Sequence, residues 1–213
     1  HKGFIPWDVD IDIAMHRKDY EKFAEIAEHK LPLGLSFHNH KNTRNYYRPH
    51  ATVSIDNVCA LINSDYYRKA KAEKLFIDIF PLDNAPDDEM LRQKQAQELK
   101  HLVKIHSRKE CVLYKRNTLI QIAIKKMIQC VLLPYSLQHL EAKRDAIMMR
   151  YDGENAECWC SMVSHYPYEK QCMKKEIYGT PVKMEFSGRK YNVPHKTDAY
   201  LTRIFGKKYM ELP

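Results

Sequence analysis

Asp8, Asp10 and Asp12 occupy alternate positions of Asp8-Val9-Asp10-Ile11-Asp12, and Val9, Ile11 and Ile13 fill the positions between and after them. Period-two alternation belongs to a β-strand, so Phe4 to Met15 is expected to be a strand with its acids on one face and its aliphatic side chains on the other. Carboxylates at this spacing stand roughly 6–7 Å apart and repel one another when ionised, a strain that a cation relieves. Hard oxygen ligands with no paired His or Cys suit Mg²⁺ or Mn²⁺, ions that commonly bridge one or two carboxylates to phosphates. Aspartate pairs also occur on solvated strand faces, so the spacing alone leaves both readings open.

A further acid, Asp78, lies inside the apolar run Leu75-Phe76-Ile77-Asp78-Ile79-Phe80, which Pro81 closes and which reads as a short, buried central strand. Burying that carboxylate is costly unless it is paired or bound to a metal. With this strand beside the first, one ion site would draw on Asp10, Asp12 and Asp78. The alternatives are that Asp78 caps a turn before Pro81 or pairs with an arginine.

The elements that must position these acids follow from the rest of the pattern. Asp19 to His29 reads as a helix with Tyr20, Phe23, Ile26 and Ala27 as its apolar stripe. A polar, aromatic loop from His38 to His50 carries His38, His40, Tyr46, Tyr47, Arg48 and His50. Such a tract could stack a base or cradle a sugar, or serve only as a polar loop. Ala51 to Leu61 alternates as a strand. Helical spacing returns over Asp87 to Ser107, Asn117 to Leu133 and Ser136 to Arg150, with Ser136 as an N-cap. Leu119 to Leu133 is apolar but too short to span a bilayer and carries Lys125 and Lys126 at its centre. It is read as a core helix whose lysines reach solvent, with an interfacial helix as the alternative. Pro181 to Pro213 reads as a strand-and-turn stretch followed by a helix over Asp198 to Phe205, forming a lid or wall.

At 213 residues, 44% apolar and 29% charged, with six Gly, the chain can bury a globular core of one helix-rich domain. Its formal charge of +8 favours an anionic partner. The basic residues are dispersed, without an arm or tail of the kind that wraps nucleic acid, which points to phosphates on a small molecule. The six cysteines have no regular spacing and suit a reducing compartment. Cys158, Cys160, Cys172 and His165 could be assembled into a zinc site, but the Cys-x-Cys spacing argues for reduced, partly buried thiols.

The chain resembles the LicD family, whose members include bacterial phosphocholine transferases and fukutin-type transferases. The likeness rests on the opening string His1-Lys2-Gly3-Phe4-Ile5-Pro6-Trp7-Asp8-Val9-Asp10-Ile11-Asp12-Ile13 and on Phe76-Ile77-Asp78-Ile79-Phe80-Pro81-Leu82-Asp83. It extends to Phe186-Ser187-Gly188-Arg189-Lys190-Tyr191-Asn192-Val193-Pro194, Tyr200-Leu201 and Tyr209-Met210-Glu211-Leu212-Pro213. The resemblance implies an α+β, nucleotidyltransferase-like mixed sheet of the DNA polymerase beta type, with a helical middle segment and a C-terminal strand-turn-helix. It implies a single domain over residues 1–213, with the family's Gly-Ser turn falling before His1. Asp10, Asp12 and Asp78 would be catalytic and would hold Mg²⁺ or Mn²⁺ with Asp8, Asp78 taking the proton of the acceptor hydroxyl. Lys2, Arg17 and Arg189 would contact donor phosphates, with solvated surface charge as the alternative for each.

The implied reaction moves phosphocholine or a phospho-polyol from a CDP-linked donor to a sugar hydroxyl of a cell-surface glycan or lipid-linked precursor, such as lipopolysaccharide, teichoic acid or capsule. The implied setting is cytoplasmic, with peripheral contact at the inner membrane face and no nucleic-acid partner. Val9 replaces an acid often seen in the family, and Lys207-Lys208 follow Gly206 where an acidic residue is common. Two rival readings remain on the same scaffold: nucleotidyl transfer to a small molecule or RNA, and a non-catalytic binding module.

Overall fold

The computed structural model describes residues 3–5, 10–62, 71–114 and 116–211. Lys2 and Asp8 lie outside the described residues. In chain order the elements begin with β1 (Asp12–His16), α1 (Arg17–Lys30), β2 (Leu35–His38), β3 (Ala51–Ile62) and β4 (Lys71–Ala85). Three helices follow, α2 (Glu89–Glu110), α3 (Leu119–Val131) and α4 (Leu137–Met148), and then a 3-10 turn, Met149–Tyr151. The chain continues through β5 (Cys158–Cys160), α5 (Tyr168–Gln171), β6 (Cys172–Lys174), α6 (Lys175–Tyr178), β7 (Val182–Phe186), β8 (Arg189–Val193) and α7 (Thr197–Phe205).

The architecture is a mixed sheet with a helical middle and a C-terminal hairpin and helix. One sheet runs β2-β3-β4-β5-β6, with β1 added to β4; β7 and β8 form a separate antiparallel pair. β4 organises it, pairing antiparallel with β3 and β5 and parallel with β1. Of the strand expected over Phe4 to Met15, residues 6–9 lie outside the described residues, and among those described the regular strand begins at Asp12. The Asp78 N–H still donates to the Ile11 carbonyl at 3.0 Å, carrying the ladder beyond β1.

β4 was expected to stop at Pro81, yet it continues to Ala85. The Asp78 bond to Ile11 shows that N–H groups two residues apart, at 78, 80 and 82, point toward β1, so position 81 points toward the side of β3. β3 ends there at the Ala51–Ile79 pair, and the N–H that Pro81 lacks has no rung to make.

Strand alternation gives β4 two different faces. Ile79 packs with Tyr20, Ala24 and Ala27 of α1 and with Phe37 and Ala51, while Leu82, on the opposite face, packs with Met173, Tyr178 and Ile204. In the α1 stripe Ala24 is buried and the expected Ile26 is exposed, because the inward line is Tyr20, Ala24, Ala27. The middle helices begin at side-chain caps, of which Ser136 was the one expected. Asp88 accepts from Leu91, Thr118 and Gln121 form a reciprocal capping box, and Ser136 accepts from His139. α2 and α4 share a core of Leu99, Leu102, Leu140, Ile147 and Met148. α3 corrects the expectation of a core helix, since none of its residues is buried.

A buried ion pair fixes α1 to the sheet. Arg17 Nε meets Asp83 Oδ1 at 2.5 Å and Arg17 Nη2 meets Oδ2 at 2.9 Å, while Nη1 reaches Asp145 of α4 at 3.1 Å and Glu21 at 3.2 Å. Burial pushes the Asp83 carboxyl up to about 6, against the pull of Arg17. Removing one partner of such a pair strands a buried charge. Arg17→Met should therefore cost roughly 3–5 kcal/mol in urea denaturation at neutral pH. Arg17 holds the Asp83 carboxyl down, so in the variant that carboxyl should take up its proton at a pH above the intact protein's value of about 6, and the penalty should be largest in alkaline solution and shrink as the pH falls toward about 6. Arg17→Met with Asp83→Leu should recover part of the loss.

Candidate metal centre

Parallel pairing sets Asp12 of β1 directly beside Asp78 of β4. Asp10 precedes Asp12 by two residues, and one carboxylate oxygen from each of the three lies within 4.8 Å of the others. Asp10 and Asp12 are exposed and Asp78 is buried. This is the only group of three or more His, Cys, Asp or Glu side chains that converges closely enough to hold a metal among the described residues. Three hard, anionic oxygen donors with an open side fit Mg²⁺ or Mn²⁺ better than zinc or copper.

Asp78 is neither capping a turn nor paired with arginine. His50 Nε2 lies 2.7 Å from its Oδ1, and the imidazole stacks on Phe80 with ring centroids 4.3 Å apart. An ionised carboxylate only accepts, so the ring proton sits on Nε2. Tyr46 holds this corner by donating to the His50 carbonyl at 2.9 Å and contacting Thr52 Oγ1 at 3.2 Å, and Thr52 is the β3 partner of Asp78. The histidine thus orients one carboxylate oxygen and leaves the other for a ligand.

The C-terminal segment flanks the acids. Phe4 packs edge-on against Phe186 at 4.9 Å, bringing β7 beside the opening motif. Arg189 pairs across the hairpin with Phe186 and is exposed there. Burial and then the nearby Asp12 charge raise the pKa of Tyr200, which places the α7 phenol in the electrostatic neighbourhood of the cluster. His16 stacks on Trp159 at 3.5 Å, below the acids on the same face of β1.

The structure separates the remaining candidates. Arg17, expected among the phosphate contacts, has its guanidinium engaged by Asp83, Asp145 and Glu21. In the loop from His38 to His50, Tyr47 and Arg48 bond Glu73, and His38 bonds Thr43 and Ser54. A concavity of about 530 Å³ between α1 and β2 is lined by Leu31, Ser36, His38 and Arg44 and contains none of the three aspartates. Cys158, Cys160 and Cys172 are free thiols on adjacent strands.

Residues 1–112 match the family described as LicD/FKTN/FKRP, nucleotidyltransferase domain. The chain belongs to that family. It is also similar to a lipopolysaccharide cholinephosphotransferase, LicD, of Haemophilus influenzae, at 26% identity over 223 aligned residues covering 100% of this chain and 78% of the relative. No solved structure matches the chain. The LicD-family match spans β1 through α2 and therefore includes Asp10, Asp12, His50 and Asp78.

Sequence reasoning grouped the acids but missed the link between His50 and Asp78. The available signal was position: His50 immediately precedes the alternating strand that pairs with the run containing Asp78. If the cluster binds a divalent ion, Mn²⁺ titration followed by electron paramagnetic resonance should detect one site in the intact protein. Asp12→Asn and Asp78→Asn should each weaken it at least about tenfold, since each removes an anionic ligand. His50→Ala should weaken it less. Unchanged Mn²⁺ affinity in both aspartate variants would exclude the cluster as the ligand set.

Proposed function

We propose that this protein transfers a phosphorylated group, phosphocholine or a phospho-polyol, from a CDP-activated donor to a sugar hydroxyl of a cell-surface glycan or its precursor. We read the fold as nucleotidyltransferase-like. The convergence of Asp10, Asp12 and Asp78 carries the proposal. LicD-family membership supports it, and the name of the Haemophilus relative supports phosphocholine and a lipopolysaccharide acceptor in particular.

Asp10, Asp12 and Asp78 would hold Mg²⁺ or Mn²⁺, which when bound neutralises the charge of the donor diphosphate and of the departing nucleotide. The chain's own contribution is position and proton transfer. The acceptor oxygen forms a bond to the phosphorus bearing the transferred group as the bond from that phosphorus to the bridging oxygen of cytidine monophosphate breaks. The Asp78 carboxylate accepts the hydroxyl proton, with the His50 N–H holding it in orientation. We read Tyr200, whose phenol feels the Asp12 charge, as part of the wall of the site, and the exposed Arg189 of the β7–β8 hairpin as a contact for phosphate oxygens.

Incubation with CDP-choline, CDP-polyols or CTP, each with a glycan acceptor and Mg²⁺, separates the readings by product. Phospho-group transfer releases cytidine monophosphate, and Asp10→Asn, Asp12→Asn or Asp78→Asn should reduce it by at least about a thousandfold, the scale of losing a main electrostatic contributor. Pyrophosphate released from CTP would instead indicate nucleotidyl transfer. Absence of both products would indicate a binding module.

A further inference from the structure

α3 has the composition of a core helix and the placement of a surface one. Leu119, Ile120, Met127 and Val131 are 82%, 73%, 62% and 71% exposed, and Ile124, on the same side, is exposed as well. Positions 120, 124, 127 and 131 recur with the three- and four-residue spacing of a single helical stripe, and Leu133 and Tyr135 continue the exposed apolar surface past the helix end. The opposite side faces α2. There Gln129 donates to the Lys109 carbonyl at 2.9 Å, Lys109 Nζ donates to the Leu132 carbonyl at 2.9 Å, and Lys125 Nζ donates to the Val112 carbonyl at 2.8 Å. These bonds fix which side points outward. The apolar stripe is therefore held away from the protein by specific contacts.

The surroundings are strongly basic. Among the described residues between 100 and 140, Lys100, Lys104, Arg108, Arg116 and Lys126 are exposed cations, and the single acid of that stretch is the half-buried Glu110. An apolar stripe set among cations complements an anionic lipid surface, where acyl chains take the side chains and headgroups take the charges. A second copy of the chain is a poorer occupant, because a twofold interface through α3 would set these cations against one another. The 13 residues of α3 extend only about 20 Å, short of the roughly 30 Å hydrocarbon thickness, and no described helix is long and apolar enough to cross a membrane.

We propose that α3 is a membrane-docking helix, lying in the plane of an anionic bilayer with the Ile120, Ile124, Met127 and Val131 face in the headgroup–acyl boundary. This surface is separate from the carboxylate site, and the proposal holds whichever group that site transfers.

Flotation with phosphatidylcholine vesicles, with and without a one-third share of phosphatidylglycerol, tests it. The intact protein should partition onto the anionic vesicles at least about tenfold more strongly than onto the neutral ones, and added salt should reduce the difference. Ile120→Glu with Met127→Glu should lower partitioning at least about tenfold, with thermal melting as the check that these exposed changes leave the fold intact. Ile124→Trp should be quenched by brominated acyl chains, reporting insertion of the stripe itself. Equal partitioning of the intact protein and the glutamate variant, or an unquenched tryptophan, would overturn the proposal. So would a dimer in analytical ultracentrifugation that the glutamate variant abolishes, accompanied by no vesicle binding.

Discussion

The candidate site depends on the parallel register between β1 and β4. That pairing sets Asp12 beside Asp78 and leaves Asp10 two residues upstream, so the three carboxylates converge although positions 12 and 78 are 66 apart in sequence. A slip of one residue would turn Asp78 toward α1 and Ile79 toward the site, exchanging a ligand for a core side chain. Ile79 packed beneath Tyr20 and Ala24 therefore helps to specify the register that the acids require.

Two polar anchors hold the same strand from opposite faces. On the α1 face, Asp83 receives the bidentate guanidinium of Arg17, which ties the N-terminal end of α1 to the end of β4 and, through Asp145, to α4. On the site face, Asp78 accepts from the His50 imidazole, which Tyr46 and Phe80 support. One acid of β4 is thus fully committed to a structural cation, and another keeps an oxygen free for a ligand. Their positions, five residues apart and so on opposite faces, account for the division.

Local pattern made much of this legible in the sequence. Alternation at Asp8 to Asp12, the lone acid in the run from Leu75 to Phe80, and the Ser136 cap before α4 all report physics within a few residues. The features that were not legible are set by tertiary pairing. Pro81 reads locally as a strand end, and only the earlier departure of β3 lets β4 continue through it. Arg17 reads locally as a solvated cation or phosphate contact, and only the register of Asp83 turns it inward. α3 has core-like hydrophobicity, and nothing within its own sequence discloses that α2 meets its other side. His50 gains its partner from a strand 28 residues away.

The central claim is that the register-assembled carboxylates bind a divalent ion shared with a nucleotide diphosphate. Without a cation the three acids repel such a donor, whereas a bound ion reverses the local sign and supplies common ligands. Calorimetric titration with a CDP-linked donor, first with Mg²⁺ and then with excess chelator, measures that coupling directly. The account predicts a loss of affinity on chelation worth at least about 1–3 kcal/mol, reciprocal in the Mg²⁺ titration and absent when Asp10→Asn and Asp12→Asn are combined. Equal donor affinity with and without divalent ion in the intact protein would contradict it.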